Sequence, residues 1–207
     1  GTLDCFNTVD LTGSPDAEIP CVDEDGLIIV VINEDDEPEV VMCDKERPWQ
    51  GLYADGITTL DYERGKAESI LDDPWQTDDS IGSWGYNPAR PYMKPGLVVD
   101  KIIDIVSKNG NMLLNIPIKA DGTLDKEAID LLNNVGEWFD VNGEAIYGTR
   151  PWYMYGEGKN KIDAHDLESS LTPKDFRYTT KDGYLYAFVM DWPKNCLLYT
   201  SDAADEG

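Results

Sequence analysis

Positive charge is scarce in this chain. Lys and Arg together number 17 against 41 Asp plus Glu, a formal net charge of −24 over 207 residues. So acidic a molecule repels polyphosphate and anionic lipid, which argues against nucleic acid and a membrane surface as partners. No apolar run approaches the ~18 residues of a membrane-spanning helix, and no basic-then-apolar leader opens the chain. Histidine occurs once, as His165 in the polar stretch Asp163–Asp166, so a Ser-His-Asp, Cys-His or multi-histidine zinc site cannot be assembled from these residues alone. His165 reads as an ordinary loop residue. The four cysteines, Cys5, Cys21, Cys43 and Cys196, are too widely spaced for a zinc knuckle and too few for a disulfide scaffold. Asp23, Glu24 and Asp25 hint at a calcium loop, but that template would place Cys21 at the first ligand position and Ile32 at the twelfth. Dinucleotide, P-loop and serine-hydrolase signatures are missing too. No cofactor or metal is expected.

What remains is carboxylates and aromatics. With 41% hydrophobic residues, 6 Trp and 11 Tyr, the chain is too rich in large apolar side chains to be disordered overall. At ~150 residues per domain, its length suggests one domain and part of another. Gly1 stands where an initiator Met would, so the expectation is a piece of a longer soluble protein.

From Gly1 to Glu46 there are fourteen acids and one base, Lys45, with two β-branched runs at Leu27–Ile32 and Val40–Met42. They read as strands within a solvated acidic segment. Ile57–Leu60 is a further short β-prone run, leading directly into Asp61, Tyr62, Glu63, Arg64 and Gly65. From Pro95 to Lys108 the positions Val98, Val99, Ile102, Ile103 and Val106 recur at helical spacing, with Gly110 just past the end. Met112, Leu113, Leu114 and Ile116 then form an apolar run suited to a strand covered on both faces of a parallel sheet. A second helical stripe runs from Ala128 to Phe139 and ends near Asn142 and Gly143. Helix, strand, helix is α/β grammar. Past Pro151, residues Gly156–Asn160 read as a linker, and Phe176–Thr180 with Tyr184–Met190 flank an Asp182-Gly183 turn, a β-hairpin signal.

Three ordered blocks carry a resemblance: Pro74–Tyr86 (PWQTDDSIGSWGY), Ile103–Pro117 (IDIVSKNGNMLLNIP) and Val141–Trp152 (VNGEAIYGTRPW). Together they resemble the alpha-L-fucosidases of glycoside hydrolase family 29. The likeness spans roughly residues 38 to 192. It implies the C-terminal part of a (β/α)8-like barrel over residues 1–152, followed by the beginning of an antiparallel β-sandwich over 153–195. It also implies retaining hydrolysis of an alpha-L-fucoside, whether a fucosylated glycan or a small fucoside, by two carboxylates. The family nucleophile is an Asp in a Trp-x-Asp context, and no Trp precedes Trp49 here, so the nucleophile is expected upstream of this chain and the chain alone is expected to be inactive.

Glu63, in LDYERG at an expected strand end, is the candidate proton donor, with Asp61 and Glu68 as alternatives. The bland reading of Glu63 is a salt bridge to Arg64 or Lys66. Trp84, in SIGSWGY, matches the aromatic residue that borders the fucose methyl group, an apolar face suited to a 6-deoxy sugar. Lys45 falls near the family's basic residue at the sugar ring. Trp75 stands where relatives carry Trp followed by Glu, but Gln76 cannot serve as an acid. Trp75, Trp84 and neighbouring acids would also suit a non-catalytic carbohydrate-binding protein, and a different retaining glycosidase on a related barrel is a third reading. Asn109, Gly110 and Asn115 read as structural. Oligomeric state is not encoded in any of these features, and an exported or periplasmic location is only a preference that the resemblance suggests. The last stretch, Cys196–Glu206 (CLLYTSDAADE), breaks the β pattern and resembles a translated sequencing adapter, so the native part is expected to end near Asn195.

Overall fold

The computed structural model describes residues 43–45 and 59–193. The expected strands at Leu27–Ile32 and Val40–Met42 and the adapter-like tail lie outside the described residues.

Four strands form an all-parallel sheet whose spatial order follows the chain: β1 (Cys43–Lys45), β2 (Thr59–Glu63), β3 (Trp75–Ser80) and β4 (Gly110–Asn115). Helix α1 (Pro95–Val106) makes the crossover from β3 to β4, and α2 (Lys126–Asn142) follows β4. A second, antiparallel sheet contains β5 (Arg150–Glu157), β6 (Phe176–Lys181) and β7 (Tyr184–Val189). The α/β-then-β order matches the expectation.

Both helices lie where hydrophobic spacing placed them. Pro95 opens α1 with its φ already helical. The Asp125 side chain caps α2 by accepting from the Ala128 N–H at 2.8 Å. Leu97 and Val98 are fully buried in the core that α1 shares with Leu131 and Val135 of α2, each contributing ~1.5–3 kcal/mol.

Two local expectations change. The left-handed residue after α1 is Asn109 (φ 72), not Gly110. Gly110 is required for a different reason: a Cβ there would lie 2.5 Å from the Trp75 ring. The segment 156–160 is not a loose linker either. Gly156 and Glu157 belong to β5, and the Lys159 and Asn160 amides donate to the Asp175 carboxylate at 3.0 and 3.1 Å. The hairpin forms as read, with Asp182 (φ 51) and Gly183 (φ 83) both left-handed, the geometry that matches strand twist in a two-residue turn.

One buried carboxylate joins the two sheets. Asp104 of α1 is fully buried and meets three cations: Arg177 of β6 at 2.6 Å, Lys108 at 2.9 Å and Lys66 at 3.0 Å. Lys108 and Arg177 also lie over the Tyr155 ring of β5, at 4.6 and 5.4 Å. Burial alone would push the Asp104 carboxyl up, but Lys108, Lys66 and Arg177 overcome it and hold the group at about 2.

Candidate active site

Side chains alternate between the two faces of the parallel sheet. Tyr62 and Trp75 meet edge to face at 5.3 Å on the side covered by α1, where Ile105 packs with them. Pairing in register therefore puts Asp61, Glu63, Gln76 and Asp78 together on the opposite face. Asp61 lies beside Gln76 and Glu63 beside Asp78. Glu63 is the last residue of β2 and is exposed, Asp78 is half-buried, and Asp61 is only 5% exposed. Lys45 ends β1 in register with Asp61.

The cations that might have neutralised Glu63 are turned elsewhere: Arg64 pairs with Asp79 at 3.4 Å and Lys66 with Asp104. Glu68 pairs with Lys161 on the exterior, and that hydrogen bond lowers its pKa, the reverse of what a proton donor at neutral pH requires. Glu68 thereby drops out of the donor set.

The two tryptophans separate completely. Trp75 has no exposed surface, and its indole N–H donates to the Lys108 carbonyl at 2.9 Å. It begins β3, at the end of the sheet away from Glu63, so its expected place against the sugar gives way to a core role: a ring with no open face cannot stack on a ligand. Trp84 is 41% exposed in the loop after β3. Ser80 and Asn115, the C-terminal residues of β3 and β4, hold that loop. The Ser80 hydroxyl donates to the Ser83 carbonyl at 2.9 Å, and the Asn115 amide donates to the Trp84 carbonyl at 3.0 Å. Asn115 thus has the structural role read for it.

Arg64 is the residue that sequence reasoning passed over as a mere countercharge. It adopts φ 55, uncommon for a residue with a Cβ. Its amide donates to the Asp78 carbonyl at 2.8 Å, which turns the chain back across the end of β3. Its guanidinium then donates to the Gly82 carbonyl at 2.8 Å and lies 4.6 Å from the centre of the Trp84 ring. The only available signal was its place immediately before Gly65, just beyond a strand.

Arg64 and Trp84 line a cleft of about 530 Å³ together with Arg90, Met93 and Ala164–Leu167, including His165. That volume lies within the ~300–1,000 Å³ range of small-molecule sites. Among the described residues no group of His, Cys, Asp and Glu could hold a metal ion.

Acids at the C-terminal ends of parallel strands, with an exposed indole in the loop that follows one of those strands, define an α/β protein. Within that class the family is specific. The family model described as Alpha-L-fucosidase matches residues 21–144, and the chain belongs to this family of glycoside hydrolases. It is 33% identical to the mouse tissue alpha-L-fucosidase over 138 residues, covering 64% of this chain and 28% of the mouse protein. To the human tissue alpha-L-fucosidase it is 31% identical over 141 residues, covering 66% of this chain and 28% of that protein. Among solved structures, alpha-L-fucosidase isoenzyme 1 from Paenibacillus thiaminolyticus aligns with a TM-score of 0.53 at 28% identity, covering 66% of this chain and 30% of that one. The chain thus spans less than a third of the length of each of these three relatives.

Proposed function

We propose that the protein to which this chain belongs is a retaining exo-glycosidase that hydrolyses alpha-L-fucosides. In this reading β1–β4 are consecutive strands of a (β/α)8-like barrel, and β5–β7 begin an antiparallel β-sandwich. The in-order, all-parallel pairing of β1 to β4 supports the barrel. Glu63 is the general acid that protonates the departing glycosidic oxygen and then the base that activates water. The attacking Asp belongs to a part of the protein outside this chain, so the chain alone does not turn over. Trp84 offers its ring to the methyl group of the 6-deoxy sugar, and Lys45 sits at the sugar ring. The observation that carries the assignment is the pairing of the exposed strand-end Glu63 with Asp78, at the sheet end where Ser80 and Asn115 hold the Trp84 loop.

The test is hydrolysis of aryl alpha-L-fucosides by the intact protein and by Glu63→Gln. A lost general acid lowers kcat by ~10²–10⁴-fold on a poor leaving group, and far less on an activated one that departs unprotonated. Wild-type protein that binds fucose without turning over any fucoside would instead identify a sugar-binding protein. A Glu63→Gln enzyme that is fully active on the poor leaving group would move the donor role to Asp61.

A further inference from the structure

The lining of the Trp84 cleft draws on segments far apart in the chain, 81–84 and 164–167; backbone bonds from Met93 to Ile81 and from Lys94 to Leu167 join them at one end, and one buried side chain joins them again through Asp79 and Ala164. Lys101, on α1, is 6% exposed. Its ammonium donates to Asp79 Oδ2 at 2.7 Å and to the Ala164 carbonyl at 3.2 Å. Asp79, 3% exposed, uses its other oxygen to accept the Ser80 amide at 2.7 Å and to meet Arg64 at 3.4 Å. Arg64 in turn lies over the Trp84 ring and holds the Gly82 carbonyl. The chain of contacts on one side runs Lys101, Asp79, Arg64, Trp84. On the other side it runs from Lys101 directly to the Ala164 backbone.

We infer that Lys101 is a positioning residue that sets the width of the Trp84 cleft by holding both segments. Lys101 is not among the residues that line the Trp84 cleft. It acts through Arg64 on the segment that carries Trp84 and through Ala164 on the one that carries His165. An ammonium suits the task because it offers three donors around one compact charge. A neutral side chain of similar length would fill the space yet hold neither Asp79 nor Ala164. If a fucoside occupies this cleft, the spacing of these two segments governs how the group attached to the fucose is held. Only this last step rests on the fucosidase reading; the mechanical role of Lys101 does not.

The experiment compares intact wild-type protein with Lys101→Met, Lys101→Arg and Asp79→Asn by hydrogen exchange, and by KM and kcat on two fucosides, one with an aryl aglycone and one with a disaccharide aglycone. In Lys101→Met, amides of 81–84 and 163–167 should exchange about 10-fold faster while α2 keeps its protection, a local opening. Lys101→Arg, whose guanidinium can reach both partners, should restore most of that protection. Asp79→Asn should loosen 81–84 but not 163–167. The KM for the disaccharide fucoside should rise about 3–10-fold in Lys101→Met, with the aryl fucoside changing less. Equal protection of both segments in Lys101→Met and wild type would overturn the inference, as would a loss shared equally by α2. If the intact protein turns over no fucoside, the functional reading falls while the exchange comparison still decides the role of Lys101.

Discussion

Asp104 offers the sharpest energetic prediction, because one carboxylate serves three buried or half-buried cations across the junction of the two sheets. Replacing it by Asn keeps the shape and removes the charge, leaving Lys66, Lys108 and Arg177 facing one another. Stripping the anion from such a cluster costs ~3–5 kcal/mol, since it strands charge that water no longer reaches. At ~2–4 °C per kcal/mol for a chain of this size, Tm falls by roughly 6–20 °C. The cluster is lopsided, however. Burial, then Lys66 and Arg177, depress the Lys108 ammonium despite the attraction of Asp104. The pKa of Asp104 moves in the stabilising direction and that of Lys108 in the destabilising one. Asp104 is therefore the member that holds the junction, and Lys108 is the strained one. Lys108→Met should cost under ~1 kcal/mol, or stabilise, while retaining packing against Tyr155.

The sign with pH follows. The Asp104 pKa falls from 3.8 to about 2 on folding, so its contribution is fully present above pH 4 and is lost as pH drops through 2. At ~1.4 kcal/mol per tenfold change in proton affinity the contribution is ~2 kcal/mol. Urea denaturation of wild type, Asp104→Asn and Lys108→Met between pH 2 and 7 measures all of this. An Asp104→Asn loss below 1 kcal/mol at pH 7, or a Lys108→Met loss equal to it, refutes the reasoning.

Two further outcomes are expected. Gly110→Ala drives a methyl into the Trp75 ring, where a Cβ would sit 2.5 Å from the nearest carbon, and should cost ~1–3 kcal/mol by overpacking; thermal unfolding checks it, and an unchanged Tm would mean that Trp75 has room to move. Asp100 is pushed up to about 6, chiefly by burial and further by Asp191, against a hydrogen bond from Ser169. Its folded pKa is raised, so ionisation weakens the fold as pH climbs from 4 to 6. Asp100→Asn should accordingly raise Tm at pH 7 and lose that advantage below pH 4, which a pH series of melting curves tests.

Much of the architecture was legible from pattern. α1 and α2 appear where apolar residues recur every three to four positions, because one stripe of each helix must be buried. The β6–β7 hairpin appears where Asp182-Gly183 supplies two left-handed residues. β3 was not legible as a strand from periodicity: WQTDDS has one large apolar residue. It is extended because β2 and β4 pair with it on both sides and because Lys101 and Arg64 neutralise Asp79 on its buried face. The Met112–Leu114 run led to the expectation of a strand covered on both faces, yet Leu113 is 58% exposed on the face that carries Asp78.

The sequence by itself determined the chemistry available to the protein: many carboxylates, large aromatics, one histidine, and the ordered blocks that identify the family. Only the tertiary structure decided which of those groups stand at the open end of the parallel sheet. Trp75 and Trp84 are chemically identical, and Glu63 and Glu68 lie five residues apart. Strand alternation and the packing of α1 withdraw Trp75 into the core and Lys161 captures Glu68 on the exterior, while Trp84 and Glu63 stay at the open end of the sheet. A side chain's role there follows from its face of the strand and its partners in space, and no local pattern contains either.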